Sequence, residues 1–144
     1  ADARKLPFKD QAFHLVVSHA SMPHLFAPYR DGNDNVIPIE GAIEATSLED
    51  IMAVFREAYR VTGKGGQIRM STFSESEVRE LFKEQRFHVA KDGSEKELNS
   101  TEENKQMLDR VLLVKKALNQ FEKDSGSRCI FKDMKHGGLI IISK

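Results

Sequence analysis

Asp2-Ala3-Arg4-Lys5-Leu6-Pro7-Phe8-Lys9-Asp10-Gln11-Ala12-Phe13-His14-Leu15-Val16-Val17-Ser18 holds the densest pattern in the 144-residue chain. Its last six residues are a short, β-branched apolar run after the turn-prone Lys9-Asp10-Gln11, the pattern of a buried parallel strand. Outward from it, Ser47 predicts a helix start. Its hydroxyl suits the free backbone amides, Glu49 and Asp50 suit the positive end of the dipole, and Ile51, Phe55, Ala58 and Tyr59 share one face. That helix ends near Val61, where Gly63-Lys64-Gly65-Gly66 supplies a positive-φ turn into a second strand, Gln67 to Thr72.

Ser74 with Glu77 predicts a capping box for a helix turning Val78, Leu81 and Phe82 inward, followed by a third strand at Phe87 to Ala90. Strand, helix, strand, helix, strand implies a parallel sheet with right-handed crossovers. Lys91 to Asn99 reads as a polar loop, and Ser100 with Glu103 as another capping box. Met107, Val111, Val114, Leu118 and Phe121, broadened by Leu108 and Leu112, form the stripe of a long amphipathic helix that ends at Gly126 and is expected to pack on its own domain, with a dimer seam or a substrate cap as the second reading. Cys129-Ile130-Phe131 and Leu139 to Ile142, around His136-Gly137-Gly138, read as a strand, a glycine turn and a buried last strand. The expected fold class is α/β, mostly parallel with an antiparallel final strand and helices on both faces. The chain is one domain, 1–144, with a helical insertion at about 93–127.

Bulk composition narrows the function classes. Lys+Arg and Asp+Glu each number 22, so no whole-chain field attracts nucleic acid or anionic membrane. The longest apolar stretch, Gly137 to Ser143, is too short to span a bilayer, and no signal-type run follows Ala1; a cytoplasmic location is expected. The single cysteine, Cys129, has no partner for an intrachain disulfide or a metal site. Met22 to Thr46 holds three prolines and two glycines and is expected to be mostly a long loop. Within it, Asp31, Asn33 and Asn35 imitate a calcium loop, but Val36 and Ala42 stand where glycine and a bidentate glutamate are needed.

The stretch from Asp2 to Ser18, continuing to His24-Leu25, resembles the class I S-adenosylmethionine-dependent methyltransferases that act on small molecules. Their pattern here is Asp-Ala, two variable residues, Leu-Pro-Phe, a short turn, Phe-Asp, an apolar strand and a His-bearing loop. A second part of that pattern stands at the right distance, as Glu57-Ala58-Tyr59-Arg60-Val61 followed by Gly65-Gly66 and a strand. The resemblance covers roughly Asp2 to Ala90. His14 departs from the usual Asp, Pro23 from a frequent His, and Gly63-Lys64 from Lys-Pro. No glycine-rich loop after a strand precedes the motif, so the resemblance implies the C-terminal part of such a domain.

The resemblance implies S-adenosylmethionine as cofactor, with Asp2 accepting from the adenine amino group and the backbone of Ala3 meeting the adjacent ring nitrogen. Ser18, His19 and Ala20, at the carboxyl end of the first strand, border the transferable methyl. His19 and His24 are the nominated catalytic bases, needed only if the acceptor must lose a proton, because imidazole titrates near neutral pH. The acceptor is a small or otherwise unidentified molecule. A non-catalytic binding or interaction module built on the same fold is the alternative. The isolated chain is expected to be inactive, to bind cofactor weakly or not at all, and to self-associate, swap or aggregate unless a missing N-terminal half covers its first strand.

Overall fold

The computed structural model describes residues 2–19, 29–30, 33, 36–37, 47–81, 87–89, 91–97 and 101–144. The main sheet has four strands: β1 (Phe13–Ser18), β4 (Thr62–Thr72), β7 (Arg128–Met134) and β8 (Gly137–Ser143), in the order β1-β4-β8-β7. β1 pairs parallel with β4, and β8 runs antiparallel to both β4 and β7. Three strands therefore point one way and the final strand points back, as expected. Short antiparallel pairs form β2 (Tyr29–Arg30) with β3 (Val36–Ile37), and β5 (Phe87–Val89) with β6 (Glu95–Glu97). The segment expected to be mostly loop thus contains a small hairpin.

The crossover between β1 and β4 contains α1 (Leu48–Val61), which starts as predicted. Ser47 accepts from the Asp50 amide and Asp50 reaches back to the Ser47 amide, so two orphan donors are satisfied. Ile51, Phe55 and Ala58 are buried on one face. At the other end the Lys144 ammonium donates 2.8 Å bonds to the carbonyls of Tyr59 and Thr62 and lies over the Tyr59 ring, a cation on the negative end of the helix dipole. Between the pairs Phe13↔Thr62 and Leu15↔Gln67, only His14 stands on β1, while residues 63–66 stand on β4. The glycine run is therefore an excursion inside β4, and Gly65 carries its positive φ of 80°. The strand begins five residues earlier than expected because β4 resumes pairing on both sides of that excursion.

α2 (Glu75–Leu81) has the predicted box: Ser74 Oγ accepts from the Glu77 amide at 2.9 Å, and the Glu77 carboxylate accepts from the Ser74 amide at 3.5 Å. α3 (Thr101–Ser125) ends before Gly126, whose φ is 69°. Val111, Val114, Ala117, Leu118 and Phe121 are its buried stripe, with Phe121 edge-on to Phe55 and Tyr59. Leu112, expected to broaden that stripe, is instead exposed, and Ala117 takes part in its place because it lies on the line between Val114 and Phe121. The side chains of Met107 and Phe82, and the proposed cap Ser100, lie outside the described residues.

The third strand departs from expectation. Phe87–Val89 does not extend the main sheet; it pairs with Glu95–Glu97, inside the segment read as a polar loop. Asp92 Oδ1 accepts from both the amide and the hydroxyl of Ser94, and Gly93 takes φ 83°, so a tight turn favours the pairing of the segments on either side of it. The C-terminal hairpin fills the place in the main sheet instead.

One sheet face carries the core. Val16, Ile68, Ile142 and Cys129 form one cross-strand row, and Ser18, Met70, Ile140 and Phe131 the next. α1 and α3 cover these rows. α2 lies on the same side, since Asp133 of β7 accepts from the Ser76 amide of α2 and from Lys115 of α3. Helices were expected on both faces, yet the three described helices share one. The opposite face presents Leu15 and Val17, 52% and 61% exposed, so the strand expected to be buried is half-open. Among the described residues no helix is long and apolar enough to cross a membrane.

Candidate functional site

The residues before β1 follow α1 from its beginning to its end. Arg4 donates to Asp50 in the first turn of α1 at 3.2 Å, and the Gln11 amide donates to the carbonyl of Arg60 in the last turn. Between these points the backbone of Leu6 to Asp10 is clamped. Arg60 donates Nε and Nη2 to the Glu57 carboxylate, Nη1 to the Phe8 carbonyl and the Asp10 carboxylate, and Nη2 also to the Leu6 carbonyl. Glu57 in turn accepts from the Leu6 amide at 2.7 Å. The two separated sequence motifs are thus one physical unit, with Glu57 and Arg60 of the second gripping Leu6-Pro7-Phe8 of the first.

This path fixes which end of the sheet Asp2 occupies. α1 returns along the parallel β1–β4 pair, so its N-terminus lies at the carboxyl end of β1. Asp2, tied to that N-terminus through Arg4, stands at the same end as Ser18 and His19. The Asp2 carboxylate accepts from the Arg4 amide at 2.9 Å, from Nε at 3.0 and 3.2 Å and from Nη2 at 2.8 Å. Those side-chain bonds from Arg4, joined by its amide, bring the Asp2 carboxyl down to about 2. Asp2 is therefore a fixed anion, with half of its side chain facing solvent. Ala3 packs against the core.

Register brings a second group to this end. Ser18 is paired with Met70, Ser71 with Leu139 and Thr72 with Gly138, so the turn between β7 and β8 stands beside the end of β1. There a groove of about 330 Å³ is lined by His19, Thr72, Glu77, Met134, His136 and Leu139, among others. His19, the nominated base among the described residues, lines this groove. His24 and Ala20 lie outside the described residues. Glu77 and His136 were missed in the sequence. Glu77 carries a capping signal that hides any other role, and His136 stands next to a glycine turn whose neighbours only register reveals.

Other groups are structural. Burial, with Glu122 adding a like charge, pushes the Cys129 thiol up to about 11, so it is a neutral packing group. Lys115 bridges Glu75 and Asp133 and lies over the Phe131 ring. Among the described residues no three His, Cys, Asp or Glu side chains gather in a way that holds a metal ion.

No family model and no curated protein matches the chain. Among solved structures, an S-adenosylmethionine-dependent methyltransferase from Mesorhizobium loti resembles it at 14% identity and a TM-score of 0.49, with 100% of this chain and 68% of that one covered. A methyltransferase of the same description from Methanosarcina mazei does so at 16% identity and 0.45, with 100% and 65% covered. A Methanococcus maripaludis protein of which the chain covers 52% gives the same identity and score. The chain thus spans about half to two-thirds of the length of the structures it resembles.

Proposed function

We propose that this chain forms the adenine-side and acceptor-side part of an S-adenosylmethionine-dependent methyltransferase. The observation that carries this reading is the Glu57–Arg60 clamp on Leu6 to Asp10. It joins the two motifs of the family pattern and, with the Arg4–Asp50 bond at the other end of α1, runs the leading segment so that Asp2 stands with His19 at one end of a parallel pair of strands, where ligands bind in open α/β sheets. Asp2 fits an adenine amino group: it is ionised, half-exposed, and keeps acceptor capacity on Oδ2 beyond the bonds from Arg4.

S-adenosylmethionine supplies an activated methyl group on a sulfonium, so the residues of this chain need mainly to align donor and acceptor. Alignment of this kind supplies roughly 7–11 kcal/mol in favourable cases. Asp2 and the backbone of Ala3 hold the adenine, and Ser18 and His19 border the methyl. The groove beside His19, with His136 and Glu77 on its far wall, receives an acceptor small enough for about 330 Å³. His19 takes the proton of an acceptor that must lose one.

Calorimetric titration with S-adenosylhomocysteine, of this chain and of an upstream-extended form, tests the reading. Binding by the extended form that is lost in Asp2→Ala supports it. Absence of binding in both forms favours the second reading, a non-catalytic module of the same fold.

A further inference from the structure

We propose that Arg4 is a positioning residue that aims the Asp2 carboxylate at the adenine amino group and couples the nucleoside end of the site to the start of α1. The inference rests on the reading of Asp2 as the adenine acceptor. It goes beyond that reading because the motif leaves the position of Arg4 variable.

An aspartate at the first position of a turn, as Asp2 is, otherwise has two freely rotating side-chain torsions, and water competes for all its lone pairs. Arg4 removes that freedom. Its Nε spans both carboxylate oxygens at 3.0 and 3.2 Å, its Nη2 takes Oδ2 at 2.8 Å, and its amide takes Oδ1 at 2.9 Å. Three N–H groups thus meet the roughly four acceptor sites of the carboxylate, and because the shared Nε hydrogen sits closer to Oδ1, which also takes the amide, the acceptor site left over is on Oδ2.

The other arm of the guanidinium, Nη1, donates to Asp50 Oδ1 at 3.2 Å. Asp50 is not free to follow it, because its Oδ2 already accepts from the amide and hydroxyl of Ser47 in the cap of α1. Arg4 is therefore anchored at one end by a helix cap and presents Asp2 at the other. A lysine has the charge but not the planar fork, and so cannot hold both oxygens of Asp2 while reaching Asp50.

The test is a ratio of affinities in the upstream-extended chain. S-adenosylhomocysteine is compared with its 6-deamino analogue, which lacks only the amino group, by calorimetry in wild type, Arg4→Ala, Arg4→Lys and Asp2→Asn. A ratio is insensitive to the fraction of each variant that folds. Wild type is expected to favour the amino form by roughly tenfold, the worth of one hydrogen bond to a charged group. Both Arg4 variants are expected to bring the ratio close to one, the lysine variant included. A ratio that stays at the wild-type value in Arg4→Ala but falls in Asp2→Asn overturns the role of Arg4 and leaves the reading of Asp2 standing. A wild type that does not discriminate, or binds neither compound, overturns the reading of Asp2 and the role of Arg4 together.

Discussion

Arg60 holds Glu57 in a fork, with Nε 3.0 Å from one carboxylate oxygen and Nη2 2.6 Å from the other. The same guanidinium grips the carbonyls of Leu6 and Phe8, and the same carboxylate accepts from the Leu6 amide. The pair stands one helical turn apart on α1 yet determines the course of a segment fifty residues earlier in the chain. Glu57→Gln keeps the shape and removes the charge. It is expected to lower stability by about 1–3 kcal/mol, measured by urea unfolding, as for a partly buried hydrogen-bonded ion.

Acid should release this segment. Arg60 is the main cause holding the Glu57 carboxyl below its ordinary 4.5, and the Leu6 amide helps against the cost of burial. A depressed carboxyl contributes stability that is fully present above its unfolded value and is lost as pH falls through the folded one. The contribution of Glu57 therefore begins to decline near 4.5. That of Asp2 starts to go at its ordinary 3.8 and is lost as pH falls through about 2. Urea midpoints measured between pH 6 and pH 2 should fall, and Arg60→Gln should flatten the Glu57 part of the decline.

Gly66 is required by close packing. A Cβ there would lie 2.8 Å from the carbonyl oxygens of Gly63 and His14 and from the Thr62 methyl, and two of these neighbours are backbone. Gly66→Ala should cost about 1–3 kcal/mol in the same unfolding assay. Gly65, at φ 80° with open space around it, should accept Asn at a smaller loss.

The proposed function gives the two histidines of the groove beside β1 different roles. If the acceptor must lose a proton, His19→Ala should lower kcat by about 10²- to 10⁴-fold with KM little changed. His136→Ala should act mainly on KM, since His136 lines the wall away from β1. Steady-state kinetics of the upstream-extended chain give the comparison once an acceptor is in hand.

β1 pairs with β4 alone among the described strands, and its open face shows Leu15 and Val17 with no charged residue between Phe13 and Ser18. An apolar edge of this kind recruits another strand. The isolated chain is expected to self-associate in sedimentation at high concentration, and Val17→Lys is expected to shift it toward monomer.

Much of this is legible in the amino-acid sequence. The caps at Ser47 and Ser74, the end of α1 at Val61, the hairpin around Gly137 and the docking of the long helix all rest on chemistry spanning a few residues. Asp2, Leu6 to Phe8 and Glu57 to Arg60 were legible as spaced clusters, though not that the last of them grips the one before it. These features follow from the local period of apolar residues, the free amides at helix ends and the backbone freedom of glycine, and each is written within one or two turns of chain.

Only the tertiary structure decided which strands meet. Phe87 to Val89 has a strand composition, yet the Asp92-Gly93 turn commits it to Glu95–Glu97, and β8 takes the place beside β4. The grip of Arg4 on Asp2 and Asp50, and the lining of one groove by His19 and His136, are likewise absent from local pattern. Pairing and register are won in competition among all segments at once, by which arrangement buries Ile68, Met70, Ile140 and Ile142 under α1 and α3. That competition depends on contacts between residues far apart in the chain, and so no window of sequence contains its outcome.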